Sequence, residues 1–589
     1  MSRVSTIGYI PGCTQHRIEL RLPKHDLSPH DYEVAVRALG LIWGDLSGLG
    51  AGKLKSDSLF TDFFSLFHNA VAQDAYLPLF GHWIGSPFKR NETHLYGWMP
   101  TFLKLPKGLH EKISRGCLEF LTHLQNKDEL SAIYKKTTGE VRQVSNHLGF
   151  AAFDSTLPIL QLAYELGLNF TLLGSGAYQI GQGNKSKIIM GACSTSDSAI
   201  GAMLSDNKFT TSQILSSCGL PVPDSRLATR VDHMHGFCRQ VKAPWVVKPA
   251  DANRGEGISS GIYSESALNA AFLKAKKASR TGSVIIQETL AGDCHRINVC
   301  GQEIISVVKR RPKGVVGDGR RTVEQLISLA NKRQQTRPER IRLKPFPDDD
   351  ISHEALAAQN LTSKSIPKRG QYVPLRLVTT VADGGQAETV THLLHPDNAA
   401  IAIEATRSLG LDTAGVDFFS TDIALPWYES GGKILEVNFR PQLVNRPSDR
   451  VTGQQSFHLA RSLFKDCKQI PIHVFIGDAE AAANAKRAAY RFRSQGGKYW
   501  YVGEDGIVDN TGSTRPLQNG NLWNAISALI LNPCVSGLCI QIGTWGQSLA
   551  LPISHCNSIN PEAVLKLGPP EKGWLEVINR LSQVMRDAL

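Results

Sequence analysis

Hydrophobic and polar positions form regular patterns mainly in the middle of the chain. Short runs rich in β-branched residues predict strands there: WVVK, SVIIQE, EIISVVKR and KILEVN. Amphipathic segments between them predict helices, such as NKFTTSQILSSCGLPVP, which Gly219 and Pro221 close. A second predicted helix, HPDNAAIAIEATRSLGL, has Asp397 or Asn398 near its cap and ends at Gly410. Its buried face is predicted to contain three residues: Ile401, Ala405 and Leu409. This alternation of strands and helices predicts a fold of the α/β (α+β) class.

The flanking regions follow less regular patterns. Residues 1–160 contain aromatic-rich segments, FTDFFSLFHNA and GHWIGSPF, which fit a mixed α/β domain of uncertain role. Near residue 471 a third region begins with IPIHVFIG, which predicts a strand running into a turn. A chain of 589 residues is too long for one hydrophobic core. We therefore expect three domains, at residues 1–160, 161–470 and 471–589.

Composition and charge narrow the class of protein. The N-terminus lacks the apolar core of a signal peptide, and no apolar run is long enough to cross a bilayer. The eleven cysteines include no CxxC pair, which favours reduced thiols over a disulfide framework or a zinc site. These features predict a cytoplasmic protein without a membrane partner. The net charge of +12 favours anionic partners such as nucleotides, acidic peptides or nucleic acid without choosing among them, and a scattered solvated surface explains it equally well.

The segment WVVKPADANRGEGISSG, residues 245–261, is a candidate phosphate-binding element. Lys248 ends a predicted strand, so its ammonium group can point at a fixed position. In the loop from Asn253 to Ser260, Gly255 and Gly257 permit positive φ and a close approach of backbone N–H groups to phosphate oxygens. Taken alone, such a loop is more often a turn between strands.

The segments AGVDFFSTDI and GGKILEVNFRPQ contain a candidate metal site. Glu436 and Asn438 are two positions apart on a predicted strand, so their side chains project from the same face. Asp417 lies at the end of an earlier predicted strand. Two carboxylates and an amide suit Mg²⁺, which takes few protein ligands and completes its coordination with phosphate and water. The alternative is that these acidic residues pair with lysine or arginine.

Together these segments resemble the ATP-grasp ligases, and among them most closely the cyanophycin synthetases. A looser resemblance links the chain to the glutathione-synthetase half of bifunctional glutathione enzymes. The resemblance covers most of residues 165–445, including VVKPADANRGEGI, QETLAGDCHRINVCGQEIISVVKR, GVVGDGRRTVEQLI, LGLDTAGVDFF and LEVN. It implies an ATP-grasp fold for the central domain, ATP and Mg²⁺ as cofactors, and amino-acid or peptide substrates. It also implies a homo-oligomer and no nucleic-acid partner.

The resemblance implies a role for each matching residue. Lys208 and Lys248 would contact the α- and β-phosphates, and the loop would close over the triphosphate. Arg296 and Arg310 would neutralise the transferred phosphoryl group and the oxyanion that follows. The implied loop residues are Asn253, Gly255, Gly257, Ser259 and Ser260. The implied adenine hinge and ribose contact are Gln287, Glu288, Leu290 and Asp293, and the implied metal ligands are Asp417, Glu436 and Asn438.

The sequence departs from the family at the expected substrate side. Thr380, Ala382 and Gln442 replace an asparagine, a serine and a glycine of the family pattern, and Lys309 replaces an acidic residue beside Arg310. We therefore expect an intact nucleotide site and an altered substrate site.

The third region resembles a degenerate, truncated Mur-ligase-like α/β domain. IGDAEAAANA stands where that family has a phosphate loop with Gly-Lys-Thr, and Gln541 and Thr544 replace a glutamate and an arginine. We expect this region to pack or to assemble subunits, and not to hydrolyse ATP.

Three functions stay open at this point. The resemblance favours an ATP-dependent carboxylate–amine ligase that forms an acyl phosphate and joins β-aspartyl-arginine dipeptides, as shortened cyanophycin synthetases do. The altered substrate residues favour a ligase that makes a discrete small peptide. A non-catalytic scaffold is the third alternative, and the retained lysines and candidate metal ligands argue against it.

Overall fold

The computed structural model of the protein describes most of the chain. The described residues are 7–8, 17–23, 25–43, 46, 59–75, 77–80, 84–85, 94–101, 105–106, 108–148, 155–252, 256–336, 345–376, 386–441, 461–477, 479–517, 521–543, 553 and 558–560. Residue contacts divide the chain into two compact units, one comprising residues 1–191 and 464–589 and the other residues 192–463. All of the candidate site residues belong to the unit 192–463. The domain boundaries expected near residues 160 and 470 stay predictions.

The unit 192–463 contains two antiparallel sheets and a smaller two-stranded sheet. Its strands are β1 (Cys193–Ser194), β2 (Ser225–Ala228), β3 (Trp245–Pro249), β4 (Ser259–Ile262), β5 (Val284–Glu288), β6 (Asp293–Cys300), β7 (Glu303–Arg311), β8 (Gly314–Val316), β9 (Tyr372–Pro374), β10 (Gln386–Thr389), β11 (Thr413–Ser420) and β12 (Lys433–Phe439). Its helices are α1 (Ala199–Ser205), α2 (Lys208–Ser217), α3 (Asp232–Gln240), α4 (Glu265–Ala278), α5 (Val323–Gln335), α6 (Asp350–Ala357), α7 (Pro396–Ser408) and α8 (Trp427–Ser430), with a 3₁₀ turn at Thr391–Leu393. The strand order is β4-β3-β5-β2 in the four-stranded sheet and β10-β7-β6-β11-β12 in the five-stranded sheet.

The predicted strands and helices of this unit are confirmed, with one difference at a helix start. Gly219 and Gly410 follow their helices in left-handed conformations, as the sequence predicts. Helix α7 is capped by His395, whose side chain accepts a hydrogen bond from the backbone N–H of Asp397. Asn398 is buried in the helix and donates to two carbonyl groups before α8 instead of capping.

The five-stranded sheet has one apolar and one polar face. Alternate residues of β6, β7, β11 and β12 form a hydrophobic core with α7, in which the predicted Ile401–Ala405–Leu409 face is buried. The core residues from the strands include Ile297, Val299, Val307, Val416, Phe418 and Val437. Because successive strand residues point to opposite faces, the residues between them project from the other side of the sheet. These intervening residues are the candidate catalytic and metal-binding side chains.

The other unit contains helices packed beside three sheets. Its helices are Pro29–Trp43, Leu59–Asp74, Gly108–Thr122, Lys127–His147, Thr156–Glu165, Ala479–Ser494 and Leu522–Leu531. Its strands are Ile7–Gly8, Arg17–Pro23, Ile84–Gly85, His94–Pro100, Phe170–Gly174, Ala177–Gln182, Lys185–Met190, Ile472–Ile476, Tyr499–Gly503, Gly506–Val508, Thr514–Arg515, Gly537–Ile542 and Ser558–Asn560. The last six strands form what we call the C-terminal sheet. Four adjacent strands of this sheet run parallel to one another: Tyr499–Gly503, Gly537–Ile542, Ile472–Ile476 and Ser558–Asn560. Among the described residues, no helix is both long and apolar enough to cross a membrane.

Candidate active site

Three charged residues lie side by side across the polar face of the five-stranded sheet. Arg296 on β6 is directly opposite Asp417 on β11, and Asp417 is directly opposite Glu436 on β12. Arg310 lies two positions beyond the strand partner of Arg296, and Asn438 lies two positions beyond Glu436, so both share this face. The strand register therefore brings five residues predicted from the sequence into one group.

Asp417 is held by two arginines. Its Oδ1 lies 2.5 Å from Arg296 Nε, and its Oδ2 accepts a second hydrogen bond from Arg296 Nη2 at 2.9 Å. Arg310 Nη1 lies 3.5 Å from Asp417 Oδ1. The side chains are buried, with Asp417 5% exposed and Arg296 8% exposed. Burial alone would raise the pKa of Asp417, but the charge and hydrogen bonds of Arg296 outweigh burial and hold the pKa at about 2.

Glu436 and Asn438 adjoin this ion pair. Asn438 Nδ2 donates to Glu436 Oε1 at 3.0 Å and to Asp417 Oδ2 at 3.3 Å. Burial and the nearby charge of Asp417 raise the pKa of Glu436. Two carboxylates that converge in this way create a negative site that a cation would stabilise.

The donor set fits Mg²⁺ and not a metal with many protein ligands. The residues that the structure describes include no group of three or more His, Cys, Asp or Glu side chains placed to hold a metal ion. Asp417 and Glu436 supply carboxylate oxygens, and the Asn438 amide carries an oxygen as well as the donor it now uses. This small oxygen set leaves room for phosphate and water, which Mg²⁺ prefers.

Two lysines approach the same carboxylates from outside the five-stranded sheet. Lys208, at the start of α2, donates from Nζ to the carbonyl of Ala252 at 2.7 Å, and its Nζ lies 3.9 Å from Glu436 Oε2. Asn207 caps this helix and so fixes the position of Lys208. Lys248, on β3, is 5% exposed. Burial lowers the pKa of Lys248 to about 8, with the charge of Glu436 raising it and that of Lys208 lowering it. We call the seven residues the charged cluster: Lys208, Lys248, Arg296, Arg310, Asp417, Glu436 and Asn438.

The glycine loop after Lys248 is described only in part. Asn253 and Gly255 lie outside the described residues. Gly257 has φ +72°, and a Cβ there would lie 2.6 Å from Ala278 Cβ, so the position requires glycine. Ser259 and Ser260 begin β4, beside the strand that carries Lys248, and Ser260 is exposed. The closure of this loop over phosphates stays a prediction.

The expected adenine hinge is assembled only partly. Gln287 is buried on β5 and pairs with Val246, so it shares a sheet face with Lys248 two positions away. Leu290 is half-buried beyond the end of β5. Glu288 accepts a hydrogen bond from the backbone N–H of Asp224 at 2.8 Å and forms an ion pair with Lys433. Its carboxylate is therefore engaged within the protein.

Asp293 does not join the charged cluster. It forms an ion pair with Lys309, the residue at one of the family departures. Strand alternation places it on the face of β6 opposite to Arg296. Its contact with a ribose stays a prediction. The departures at Thr380, Ala382 and Gln442 lie outside the described residues.

Two further residues on the polar face were not singled out from the sequence. A Cβ on Gly415 would lie 2.7 Å from Arg296 Nη1 and 2.8 Å from its Cδ, so the arginine passes over the glycine. Asn298, 2% exposed, donates to Ser306 Oγ at 2.9 Å, while its Oδ1 has no hydrogen-bond partner among the described residues. The two-residue period of strands, counted from Arg296 and Asp417, could have identified both positions.

The C-terminal sheet has a neutral side chain, Gln541, at a position where the resemblance to Mur ligases implies a glutamate. Gln541 is 3% exposed, and its Nε2 donates to the carbonyl of Gly477 at 2.6 Å. Its Oε1 accepts from the backbone N–H of Glu504 at 3.0 Å. Gly477 and Glu504 each follow a strand that pairs with the strand of Gln541. The Gln541 amide therefore links its own strand to the ends of both neighbours. Thr544 lies outside the described residues.

The chain is similar in sequence to several known proteins. The chain is 30% identical over 374 residues to the cyanophycin synthetase of Geminocystis herdmanii, a match that covers 61% of this chain and 43% of that protein. It is 29% identical over 374 residues to the cyanophycin synthetase of Nostoc sp., covering 61% and 41% of the two chains. It is 29% identical over 315 residues to the glutathione biosynthesis bifunctional protein of Clostridium perfringens, covering 51% and 39%. The chain thus matches less than half the length of these relatives. No protein-family model matches it.

Solved structures give weaker matches. A bifunctional glutathione synthetase from Pasteurella multocida has a TM-score of 0.40 and 20% identity, covering 69% of this chain and 54% of that one. The D-alanine–D-alanine ligase of Bacillus anthracis has a TM-score of 0.29 and 12% identity, covering 46% and 68%.

The sequence matches confirm the resemblance expected from the sequence: the chain is similar to the cyanophycin synthetases over 61% of its length, and over 51% of its length to a bifunctional glutathione enzyme.

Proposed function

We propose that this protein is an ATP-dependent carboxylate–amine ligase that activates a carboxylate as an acyl phosphate. The observation that carries the proposal is the charged cluster, in which two lysines, two arginines and two carboxylates converge on a single buried site. A scaffold protein would have no use for so many charges removed from water, since their desolvation is costly unless a ligand or partner compensates it.

The lysines are suited to bind phosphate. Lys208 is anchored through Ala252, and Lys248 is held on a strand, so both ammonium groups occupy defined positions. The burial that lowers the pKa of Lys248 is offset when an anionic phosphate comes within contact distance. We assign both lysines to the phosphates of ATP, with Gln287 as a polar side chain on the same sheet face as Lys248.

Asp417, Glu436 and Asn438 would hold Mg²⁺. When bound, the ion would neutralise the phosphate oxygens and orient the terminal phosphoryl group for transfer. The raised pKa of Glu436 supports this assignment, because a cation between the two carboxylates relieves the repulsion that raises it.

Arg296 and Arg310 would bind the reacting groups. Arg296 is fixed by two hydrogen bonds to Asp417, and Gly415 allows its guanidinium group to lie against the sheet. A preorganised guanidinium group can stabilise the phosphoryl group in transfer and then the tetrahedral oxyanion formed when an amine attacks the acyl phosphate. Positioning and charge neutralisation account for this chemistry without a covalent nucleophile.

For the substrates, we propose amino acids or peptides, and first of all β-aspartyl-arginine dipeptides joined into a polymer. The similarity to cyanophycin synthetases supports this choice. The neutral Gln541 in the C-terminal sheet supports a protein with one ATP site, which would form one kind of bond. A homo-oligomeric state and a cytoplasmic location are proposed on the same similarity.

The test is a substrate panel followed by product mass. The protein is incubated with ATP, Mg²⁺ and a set of amino acids and dipeptides, and phosphate release is recorded. A repeating mass ladder from β-aspartyl-arginine is the expected result, whereas one discrete product would favour the small-peptide ligase. Folded protein without substrate-dependent ATP turnover would refute the ligase. Lys248→Ala should abolish turnover, and turnover that survives it would refute our phosphate site.

A further inference from the structure

A lobe inserted between β7 and β10 carries an unusual share of the positive charge. Residues 312–376 contain 13 Lys and Arg residues against 7 Asp and Glu residues. Half of the net charge of +12 therefore falls within 65 of the 589 residues. The lobe is ordered by a small hydrophobic core of its own, formed by β8, β9, α5 and α6.

Two turns of this lobe are joined by backbone hydrogen bonds. Gly317 N–H donates to the carbonyl of Gln371 at 2.8 Å, and Gly370 N–H donates to the carbonyl of Gly317 at 2.9 Å. Gly319 N–H donates to the carbonyl of Pro367 at 3.1 Å. We call residues 317–321 and 367–371 the basic double turn. A Cβ on Gly317 would lie 2.3 Å from the carbonyl of Lys368, so the two turns touch only because this residue is glycine.

The double turn presents four exposed basic side chains: Arg320, Arg321, Lys368 and Arg369. The Asp318 carboxylate accepts hydrogen bonds from the backbone N–H groups of Arg320 and Arg321 and from the Arg321 side chain. Arg320, Lys368 and Arg369 form no ion pair within the part of the chain that the structure describes. Three exposed cations, carried on two turns that backbone hydrogen bonds hold together, are suited to bind an anion.

The chain length between Arg310 and Gly317 limits the distance between the charged cluster and the double turn. Gly317 is seven residues from Arg310, so the chain between them spans at most about 25 Å. An extended peptide covers that distance with about seven residues. A peptide of about ten residues is therefore long enough to reach from the charged cluster to the double turn.

The neighbouring residues favour a peptide with free carboxylates over nucleic acid. Elsewhere in the lobe, arginine is matched to carboxylate: Arg376 binds both oxygens of Asp349, at 3.0 and 2.7 Å. The exposed apolar residues flanking the double turn are the aliphatic Val316 and Ile366. Single-stranded nucleic acid would instead be recognised with aromatic side chains that stack on bases.

We propose that the basic double turn binds the free carboxylates of a peptide substrate while the reactive end of that peptide occupies the charged cluster. This inference rests on the ligase function proposed above. It assigns a binding site for the peptide chain that is separate from the ATP site; in a β-aspartyl-arginine chain the bound groups would be the free carboxylates, each of which is accompanied by a guanidinium group.

The test measures peptide binding by fluorescence anisotropy, with full-length protein and without ATP. The probes are labelled peptides of four and ten aspartates and a ten-residue oligouridylate. The ten-residue peptide should bind about tenfold more tightly than the four-residue peptide. The combined variant Arg320→Gln, Lys368→Gln and Arg369→Gln should raise its Kd about tenfold, since each exposed charge pair contributes modestly.

A matched control removes the same charge elsewhere on this unit. Arg239→Gln, Lys242→Gln and Lys277→Gln change three exposed basic residues outside the lobe and should alter Kd less than about twofold. Equal losses in both variants, no dependence on peptide length, or tighter binding of oligouridylate would overturn the inference. The ligase proposal is tested separately by ATP turnover with short substrates, which the double-turn variant should retain.

Discussion

The polar face of the five-stranded sheet and the C-terminal sheet use buried polar side chains in opposite ways. On the five-stranded sheet, Asp417 is paired with Arg296 and Arg310, whereas the neighbouring Glu436 has a raised pKa and Lys248 is buried with a lowered pKa. In the C-terminal sheet, Gln541 is neutral and satisfies two backbone groups of the protein itself. The first arrangement contains charges that a bound ligand would neutralise, and in the second the polar groups satisfy one another within the protein. This difference, more than the presence of polar residues, identifies the site we assign to ATP.

The largest effect is expected for Arg296→Met. The change removes both hydrogen bonds to Asp417 and leaves a buried carboxylate beside Arg310 alone, which should destabilise the protein by about 3–5 kcal/mol. Turnover should fall about 10²–10³-fold because a preorganised donor is lost. Rate measurements at a temperature where the variant is folded, with denaturant titrations, check both effects. Arg296→Lys keeps the charge and should be less destabilised, and wild-type turnover in Arg296→Met would contradict the assignment.

Lys248→Met should separate function from stability. The ordinary lysine pKa is 10.5, and burial lowers the pKa of Lys248 to about 8. Below pH 8 the folded protein is therefore destabilised by a buried positive charge. Methionine removes that charge and should stabilise the protein by up to about 3 kcal/mol at pH 7, while ATP turnover is lost.

The pH dependence of this gain has a defined sign. Between pH 8 and 10.5 the unfolded wild-type chain binds a proton that the folded chain lacks, so wild-type unfolding free energy rises with pH and the difference between the proteins shrinks. Denaturant titrations from pH 7 to 10 measure this trend. A variant that is less stable than wild type at pH 7, by an amount independent of pH, would show that Lys248 is not a strained buried charge.

Gly415→Ala should have an intermediate effect. The new Cβ would overlap Arg296 Cδ and Nη1, so we expect a loss of about 1–3 kcal/mol and a clear decrease in turnover through displacement of the guanidinium group. Gly139→Ala is a suitable control, because a Cβ there meets nothing within 4 Å in the helix Lys127–His147. That control should stabilise the protein by about 0.5–1 kcal/mol. Similar turnover losses in both variants would contradict the packing of Arg296 on Gly415.

Gln541→Leu should have the smallest effect on activity. It removes the hydrogen bonds to Gly477 and Glu504 and should lower stability by about 1–3 kcal/mol. Turnover of the folded variant should equal that of wild type. If turnover fell along with that of Arg296→Met, the C-terminal sheet would be part of the catalytic machinery and the contrast between the two sheets would fail.

Much of the candidate site could be predicted because strand alternation and the resemblance to ATP-grasp ligases point to the same side chains. Glu436 and Asn438 share a face from their spacing alone, and the resemblance to ATP-grasp ligases adds Arg296, Arg310 and Asp417. The engagement of Glu288 with Lys433 could not be predicted, since the two residues are 145 positions apart and meet only through the fold. The residue that caps α7 could not be predicted, because histidine is not among the usual capping residues and the nearby Asn398 uses its side chain on two distant carbonyl groups.

The most direct measurement is the number of ATP molecules bound to each chain. Equilibrium binding of a non-hydrolysable ATP analogue with Mg²⁺ should give one nucleotide per full-length protein. Lys248→Met should abolish that binding, and Gln541→Leu should leave it unchanged. A stoichiometry of two, or one nucleotide that remains bound to Lys248→Met, would contradict a single ATP site at the charged cluster.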